Sequence, residues 1–197
     1  MADTDTDKVL ALFKESDALL HGHFKLTSGK HSEWYFEKIR LIQKPDVLDR
    51  IVDLLVARIR ADRLDFDYVV SPAYGAIAIG FLAALKLGKR FAFSQRVDER
   101  MSFRSGFSGL DGSRAIIVED ILTTGGSIQE VLACLKEKQV RVAGVYVLVD
   151  RTAGEVLIEG KPVGSLLPLK VEAFEPEICP VCAAGAPLTK PGASDKK

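Results

Sequence analysis

The sequence predicts an α/β fold in which a central parallel sheet is flanked by helices. Two observations support this prediction. From about residue 65 onward, short apolar runs alternate with amphipathic stretches of helical length, which is the pattern of strands joined by crossover helices. The chain has 197 residues, of which 47% are hydrophobic, enough for the core of one domain.

The N-terminal part of the chain predicts two helices and one strand. Residues 1–6 are expected to be frayed, and Thr6 or Asp7 is expected to cap a helix that runs to about Leu20. A Gly/His/Thr/Ser segment follows over 21–32, and the aromatic run 34–36 predicts a strand. Pro45 stands where a second helix would begin, because proline suits the first helical turn.

The rest of the chain predicts the sheet itself. The expected strands are 66–71, 90–94, 114–118 and 140–150, and the expected helices are 75–87 and 126–138. Between two of these strands lies a charged 19-residue connection, 95–113, which is long enough to predict a mobile lid. The last eight residues, 190–197, predict a disordered tail.

Composition excludes several classes of protein. Lys+Arg and Asp+Glu are equal at 27 each, which argues against a general nucleic-acid binder. The sequence has no run of about 18 apolar residues, so no membrane span is predicted. The acidic N-terminus does not resemble a secretory signal. Three cysteines are too few for a disulfide scaffold. We therefore expect a cytoplasmic protein with reduced thiols, with no nucleic-acid or membrane partner.

The segment Glu119–Ser127 carries the strongest functional signal. Its two acids end a buried apolar strand, and its Thr-Thr-Gly-Gly-Ser loop opens the next helix. Such a loop directs N–H groups, hydroxyls and the helix dipole at a phosphate. An ordinary strand-to-helix turn would not need two adjacent acids there, because burying charge is costly unless something binds it. A phosphorylated sugar, held through its hydroxyls and its phosphate, satisfies both halves of the segment.

This segment resembles the phosphoribosyl pyrophosphate (PRPP) signature of the type I phosphoribosyltransferases. Four further segments resemble the orotate phosphoribosyltransferase branch of that family: Gly22–Ser32, Ser71–Gly75, Arg96–Phe107 and Asp150–Arg151. The resemblance implies the type I phosphoribosyltransferase fold as one domain over 1–197, with a core over about 62–155 and a small hood from about 7–40 and 160–190. It also implies transfer of the phosphoribosyl group of PRPP to orotate, giving orotidine monophosphate and pyrophosphate, with Mg²⁺ carried by PRPP rather than by protein ligands.

The resemblance assigns roles to individual residues. The PRPP-binding residues would be Tyr74, Arg96, Arg100, Glu119, Asp120, Ile121, Leu122, Thr123, Thr124, Gly125, Gly126 and Ser127. The orotate-binding residues would be Tyr35, Phe36, Thr123 and Arg151. Asp120 and Arg100 would be the catalytic residues. In the family the lid arginines cover pyrophosphate from the neighbouring subunit, which implies a homodimer with shared active sites.

The chain departs from the family pattern at four places. Many members have a lysine after Arg96, a histidine six residues after Arg96, a lysine after Tyr74 and another before the Ser-Gly pair, where this chain has Val97, Ser102, Gly75 and Thr27. Two other functions therefore stay open. One is a phosphoribosyltransferase for a purine base, although a neutral purine offers no carboxylate to Arg151. The other is a non-catalytic regulator that senses PRPP or a nucleotide.

The cysteines and histidines leave a metal site open. Cys179 and Cys182 have the spacing of half a zinc site, and a dimer could supply the other half. His21, His23 and His31 have no metal-like spacing with carboxylates, so local hydrogen bonding is the interpretation of the three rings.

Overall fold

The computed structural model describes residues 2–26, 28–152, 154, 156–169 and 171–191, with side chains from Thr6 onward. In chain order the elements are α1 (Ala2–Glu15), β1 (Leu19–Lys25), β2 (His31–Phe36), α2 (Lys38–Ile42), α3 (Pro45–Ala61), β3 (Tyr68–Pro72), α4 (Ile77–Leu87), β4 (Arg90–Val97), β5 (Arg100–Phe103), β6 (Arg114–Leu122), α5 (Gly126–Glu137), β7 (Arg141–Asp150), β8 (Leu157–Ile158), β9 (Lys161–Pro162), β10 (Gly164–Pro168), a 3₁₀ turn (Pro176–Ile178) and α6 (Pro180–Ala183).

Six strands form the central sheet, in the order β10-β7-β6-β3-β4-β5. Every neighbouring pair is parallel except β4 and β5, which form an antiparallel hairpin at one edge. Helices α1, α3 and α4 contribute to the core on one face of the sheet, and α5 packs on the other. The predicted α/β class, with a mostly parallel sheet covered on both faces, is confirmed.

Strand β6 lies in the middle of this sheet, and its position decides where the site is. Its neighbours are β3 and β7, and residues Ala115–Asp120 are all buried. The carboxyl ends of β3, β6 and β7 point to the same edge, which is where ligands bind in open parallel sheets. The acid pair that ends β6 therefore lies between the loops that follow the other two strands.

The N-terminal prediction was wrong in two respects. Helix α1 starts at Ala2 and ends at Glu15 rather than at Leu20, because Asp17 adopts a positive φ of 54° and the chain then turns into β1. Part of the Gly/His/Thr/Ser segment 21–32 belongs to the antiparallel hairpin of β1 and β2, and strand β1 was not predicted. The predicted strand at 34–36 and the helix at Pro45 are confirmed, and α2 was not predicted.

The predicted lid segment contains more regular structure than expected. Strand β4 continues to Val97, and β5 pairs with it over Arg100–Phe103, so the arginines lie on or just after a hairpin. Asp98 and Glu99, at the tip, both have positive φ values, which suits the tight reversal between the strands. The first half of the lid segment is therefore an extension of the sheet rather than an irregular loop.

The C-terminal segment packs against the N-terminal hairpin. Thr189 forms an isolated parallel bridge with Phe24, and Phe174 forms an antiparallel bridge with His31. Strand β10 joins the central sheet beside β7, so this part of the predicted hood belongs to the sheet. Thr27 and residues 192–197 of the predicted tail lie outside the described residues. Among the described helices, none has the length and apolar character needed to cross a membrane.

Candidate active site

The acid pair lies at the carboxyl end of β6 and is almost fully buried. Glu119 is 6% exposed and Asp120 is 5% exposed. The backbone N–H of Asp120 donates to Glu119 Oε1 at 3.1 Å, and the N–H of Ile121 donates to Asp120 Oδ1 at 2.7 Å. Two neighbouring carboxylates that are this buried need a cation or a bound ligand to be stable.

Lys38 supplies that cation from the first turn of α2. Its Nζ lies 2.8 Å from Asp120 Oδ2. The helix is positioned by Glu37, whose side chain caps it by accepting from the N–H of Ile39 at 3.3 Å. Burial acts to lower the pKa of Lys38, but the nearby Asp120, together with Glu119 and Tyr35, outweighs burial and raises it. Lys38 is therefore held charged beside Asp120.

Glu119 is the carboxyl group of the pair that has no cation bound directly to it among the described residues, and its pKa is raised. Burial, followed by the negative charge of Asp120, raises the pKa of Glu119 to about 9. Near neutral pH the free protein thus holds a proton on Glu119 while Lys38 compensates Asp120. A protonated carboxyl can both donate and accept a hydrogen bond, which suits a ligand hydroxyl.

Gly75 makes the contact between Lys38 and Asp120 possible. A Cβ at this position would collide with Asp120 Oδ2 and would lie 2.6 Å from Lys38 Nζ. The loop Pro72–Gly75 follows β3 and includes a cis peptide bond between Ala73 and Tyr74. The sequence lacks a lysine at position 75, and the structure shows Lys38 occupying the space beside it.

The loop Thr123–Ser127, which we call the phosphate loop, lines a cavity of about 220 Å³ at the start of α5. The cavity is lined by Arg96, Glu119, Ile121, Leu122, Thr123, Thr124, Gly125, Gly126, Ser127, Ile128 and Glu130. Gly125 adopts a positive φ of 81°, which turns the chain into the helix. The first N–H groups of a helix have no intrahelical partner, so this cavity suits an anion.

A second cavity of about 430 Å³ adjoins the first. It is lined by Tyr35, Phe36, Lys38, Pro72, Ala73, Tyr74, Gly75, Glu119, Asp120, Ile121, Thr123, Ser127 and Arg151. Four of these residues, Glu119, Ile121, Thr123 and Ser127, also line the phosphate-loop cavity. The structure therefore brings the predicted sugar, phosphate and base contacts to one continuous site.

Arg151 is a half-buried cation at the wall of this second cavity. Its Nε is buried and has no hydrogen-bond partner among the described residues, and burial lowers its pKa. Asp150 holds the turn beside it by accepting from Thr152 N at 2.8 Å, Thr152 Oγ1 at 2.6 Å and Gly154 N at 2.9 Å. An unpaired guanidinium in such a place is suited to a planar anion.

The lid arginines are placed differently from one another. Arg96 lies against the phosphate-loop cavity and forms a bidentate pair with Glu130 of its own chain, at 2.7 and 3.0 Å. Arg100 is exposed at the start of β5, and Arg104 contacts Gln95 at 3.5 Å. Arg96 therefore has a charged partner within its own chain.

Two residues of the site were missed from the sequence. Lys38 follows the aromatic run of β2, but nothing in its spacing linked it to Asp120, which is 82 positions later. Asp150 was noted only as the neighbour of Arg151, and its role in holding the turn depends on three contacts that appear only in the folded chain.

Comparison with known proteins shows the relationships of the chain. The family described as "Phosphoribosyl transferase domain" matches residues 40–177. The chain is 39% identical over 190 residues to the orotate phosphoribosyltransferase of Caldicellulosiruptor bescii, covering 96% of this chain and 98% of the relative.

Two solved structures have the same fold, and their names give different bases, orotate and adenine. The orotate phosphoribosyltransferase from Aeropyrum pernix superposes with a TM-score of 0.67 and 28% identity, over 81% of this chain and 92% of the other. The adenine phosphoribosyltransferase from Thermoanaerobacter pseudethanolicus superposes with a TM-score of 0.54 and 17% identity, over 68% and 87%. The second likeness concerns the fold alone.

The raised pKa of Glu119 predicts a pH-dependent effect of Glu119→Gln on stability. Between about pH 4.5 and 9 the folded state holds a proton that the unfolded state has lost, so the free energy of unfolding falls as pH rises. The variant lacks this loss. We expect it to match the wild type near pH 5 and to gain about 1.4 kcal/mol of stability over the wild type for each further pH unit up to about pH 8.

Thermal and urea unfolding from pH 5 to 9 measure this difference. Glu137→Gln, an exposed residue of α5, is the matched control and should show no such trend. A difference for Glu119→Gln that stays constant with pH would contradict the protonated state.

Proposed function

Because the chain belongs to the orotate phosphoribosyltransferases of the phosphoribosyl transferase domain family, we propose that this site joins orotate to the ribose of PRPP. The products are orotidine 5′-monophosphate and pyrophosphate, a step of pyrimidine biosynthesis. The phosphate-loop cavity receives the 5-phosphate, and the adjoining cavity receives the ribose, the pyrophosphate and the base.

The unpaired guanidinium of Arg151 is the observation that carries the choice of base. Its Nε is buried without a hydrogen-bond partner among the described residues, in the cavity that also contains the acid pair. An orotate carboxylate would pair with it, whereas a purine would leave it buried and uncompensated. Tyr35 and Phe36 line the same cavity and offer faces against which a planar ring would stack.

The acid pair acts on the ribose. Glu119 and Asp120 are within the cavity where they would hold the 2- and 3-hydroxyls, and the backbone of Thr123–Ser127 would hold the 5-phosphate. Loss of pyrophosphate leaves positive charge on the sugar, and the negative charge of Asp120 offsets it. Catalysis then rests on fixing the sugar between its two partners and on stabilising this charge.

Mg²⁺ would enter this site coordinated by the substrate rather than by protein ligands. The nearest carboxylate, Asp120, already has Ile121 N–H on one oxygen and Lys38 on the other, so it offers little to a metal directly. Pyrophosphate oxygens and water supply the ligands that Mg²⁺ prefers. When bound, the ion neutralises part of the charge on the leaving group.

Lys38 and the lid arginines complete the positive side of the site. Lys38 lies beside the Pro72–Gly75 loop, so it provides the cation that relatives place directly after the tyrosine. Arg96 would exchange Glu130 for a phosphate oxygen, because its bidentate pair is exposed and such pairs are weak. Arg100 would contact the pyrophosphate. Ser102 stands where many family members have a histidine.

The protein is further proposed to be a cytoplasmic homodimer in which Arg100 serves the partner's site. Helix α4 leaves two large apolar side chains exposed, Phe81 at 55% and Leu85 at 67%, and Tyr74 is also exposed. A second copy would cover this apolar surface. None of the three cysteines forms a disulfide, in keeping with a reducing compartment.

Turnover of orotate tests the proposal directly. Protein, Mg²⁺, PRPP and one base are mixed, and loss of orotate absorbance is followed. We expect orotate to be consumed and adenine and guanine not to be. Consumption of a purine alone would identify a purine enzyme, and PRPP binding without turnover of any base would identify a regulator.

In the same assay, Arg151→Gln should lower kcat/KM for orotate about a hundredfold while changing KM for PRPP little, because it removes one partner of a buried ion pair. Arg141→Gln, at the opposite end of β7, is the matched control and should behave as wild type. A rise in KM for PRPP as large as the fall in kcat/KM for orotate would contradict the assignment of Arg151 to the base.

Mixing two inactive variants tests the shared site. Arg100→Ala and Arg151→Ala are unfolded together and refolded at equal concentration. If Arg100 acts across the interface, half the dimers have one intact site, and about a quarter of wild-type activity returns. No recovery, with dimers present by light scattering, would place Arg100 in its own subunit's site.

A further inference from the structure

Two histidines of the N-terminal hairpin meet two cysteines of the C-terminal segment. His23 Nε2 lies 3.0 Å from His31 Nδ1, 3.6 Å from Cys179 Sγ and 3.5 Å from Cys182 Sγ. His31 Nδ1 lies 3.2 Å from Cys182 Sγ. All four atoms lie within 4.8 Å of one another, so they converge on one point rather than forming a chain of hydrogen bonds.

We propose that this His23–His31–Cys179–Cys182 cluster is a structural Zn²⁺ site. Two thiolates and two imidazoles are a donor set that zinc prefers, and Zn–S and Zn–N bonds of about 2.3 and 2.0 Å place tetrahedral ligand atoms about 3.3–3.8 Å apart. The observed contacts of 3.2–3.6 Å lie at or near this range, and the His–His contact is a few tenths shorter. Two thiolates also neutralise the charge of the ion.

The surroundings of His23 are those of a metal ligand. Its other ring nitrogen, Nδ1, lies 2.9 Å from the carbonyl oxygen of Ala186. An Nδ1–H that donates to this carbonyl leaves the lone pair on Nε2, directed at the cluster. His23, His31 and Cys179 are buried, and the backbone N–H of Thr189 donates to the carbonyl of His23 at 2.8 Å.

The C-terminal segment buries little apolar surface. In residues 171–191 the one buried side chain is that of Cys179, and Ile178 and Leu188 are exposed. Backbone bridges hold this segment to the hairpin, and a metal would add the cross-link that its small apolar burial does not supply. A site with four protein ligands leaves no open position for a substrate, so the ion would have a structural role.

The site would stabilise the part of the hood that faces the base. Strand β2 begins at the ligand His31 and ends with Tyr35 and Phe36, which line the larger cavity of the active site. The C-terminal segment pairs with this strand through reciprocal 2.8 Å hydrogen bonds between His31 and Phe174. Zinc would thus fasten both segments together, with no second subunit required.

Metal analysis of the tag-free full-length protein tests the proposal without any turnover assay. Elemental analysis after dialysis should find one zinc per chain, and Co²⁺ exchanged into the protein should give the absorption of a tetrahedral site with thiolate charge transfer. Cys179→Ser and Cys182→Ser should each lose at least nine-tenths of the zinc. Cys134→Ser, a cysteine on α5 far along the chain from the cluster, should keep it.

If the variants fail to fold, chelation of the wild type takes their place. A strong chelator should remove the zinc, lower the melting temperature and speed proteolysis within 171–191, and added Zn²⁺ should reverse these changes. Three results would overturn the proposal: no zinc bound and no thiolate band with Co²⁺, full zinc in the Cys179→Ser variant, or a Cys179–Cys182 disulfide in protein kept under reducing conditions.

Discussion

Two adjacent carboxylates at the end of the central strand are the constraint on which the rest of the site depends. Strand β6 is buried on both faces, and placing Glu119 and Asp120 at its end removes both from water. The structure meets this cost in two ways, with a proton on Glu119 and with Lys38 beside Asp120. The two acids therefore line the larger cavity as one protonated carboxyl group and one carboxylate paired with a cation.

The elements around β6 have functions that follow from this arrangement. Gly75, in the loop after β3, has no Cβ and so leaves room for Lys38 to contact Asp120. The loop after β6 opens α5 and forms the phosphate cavity, and the turn after β7 presents Arg151. Under the proposed function, the ends of β3, β6 and β7 would contact the leaving group, the sugar phosphate and the base, respectively.

The sequence predicted what depends on local pattern. Apolar runs and amphipathic spacing predicted the core strands and helices. The Glu119–Ser127 motif predicted a sugar-phosphate site, and residues of this motif line one cavity in the folded chain. Lys38 and the two histidines of the proposed zinc site, His23 and His31, were not predicted in these roles, because their partners are far away in sequence. Lys38 meets Asp120 only after the N-terminal segment folds over the sheet.

The histidines show the same limit. Spacing along the chain indicated only half a metal site at Cys179 and Cys182, since His23 and His31 are eight residues apart and lie about 150 residues earlier. The β1–β2 hairpin brings the two rings to 3.0 Å, and the returning C-terminal segment adds the thiols. Strand β1 was missed for a related reason: its His-Gly-His pattern has little β-propensity and is stabilised by its pairing with β2.

The most direct test of this account is the affinity of the Gly75→Ala variant for PRPP, measured by calorimetry with Mg²⁺ present. The added methyl group would separate Lys38 from Asp120 without touching the phosphate loop. We expect a loss of at least about tenfold in affinity, since a charge-assisted contact contributes about 1.5–3 kcal/mol. We also expect a lower melting temperature, because the buried Asp120 loses its cation. Wild-type affinity in a folded Gly75→Ala variant would contradict the central role of the Lys38–Asp120 pair.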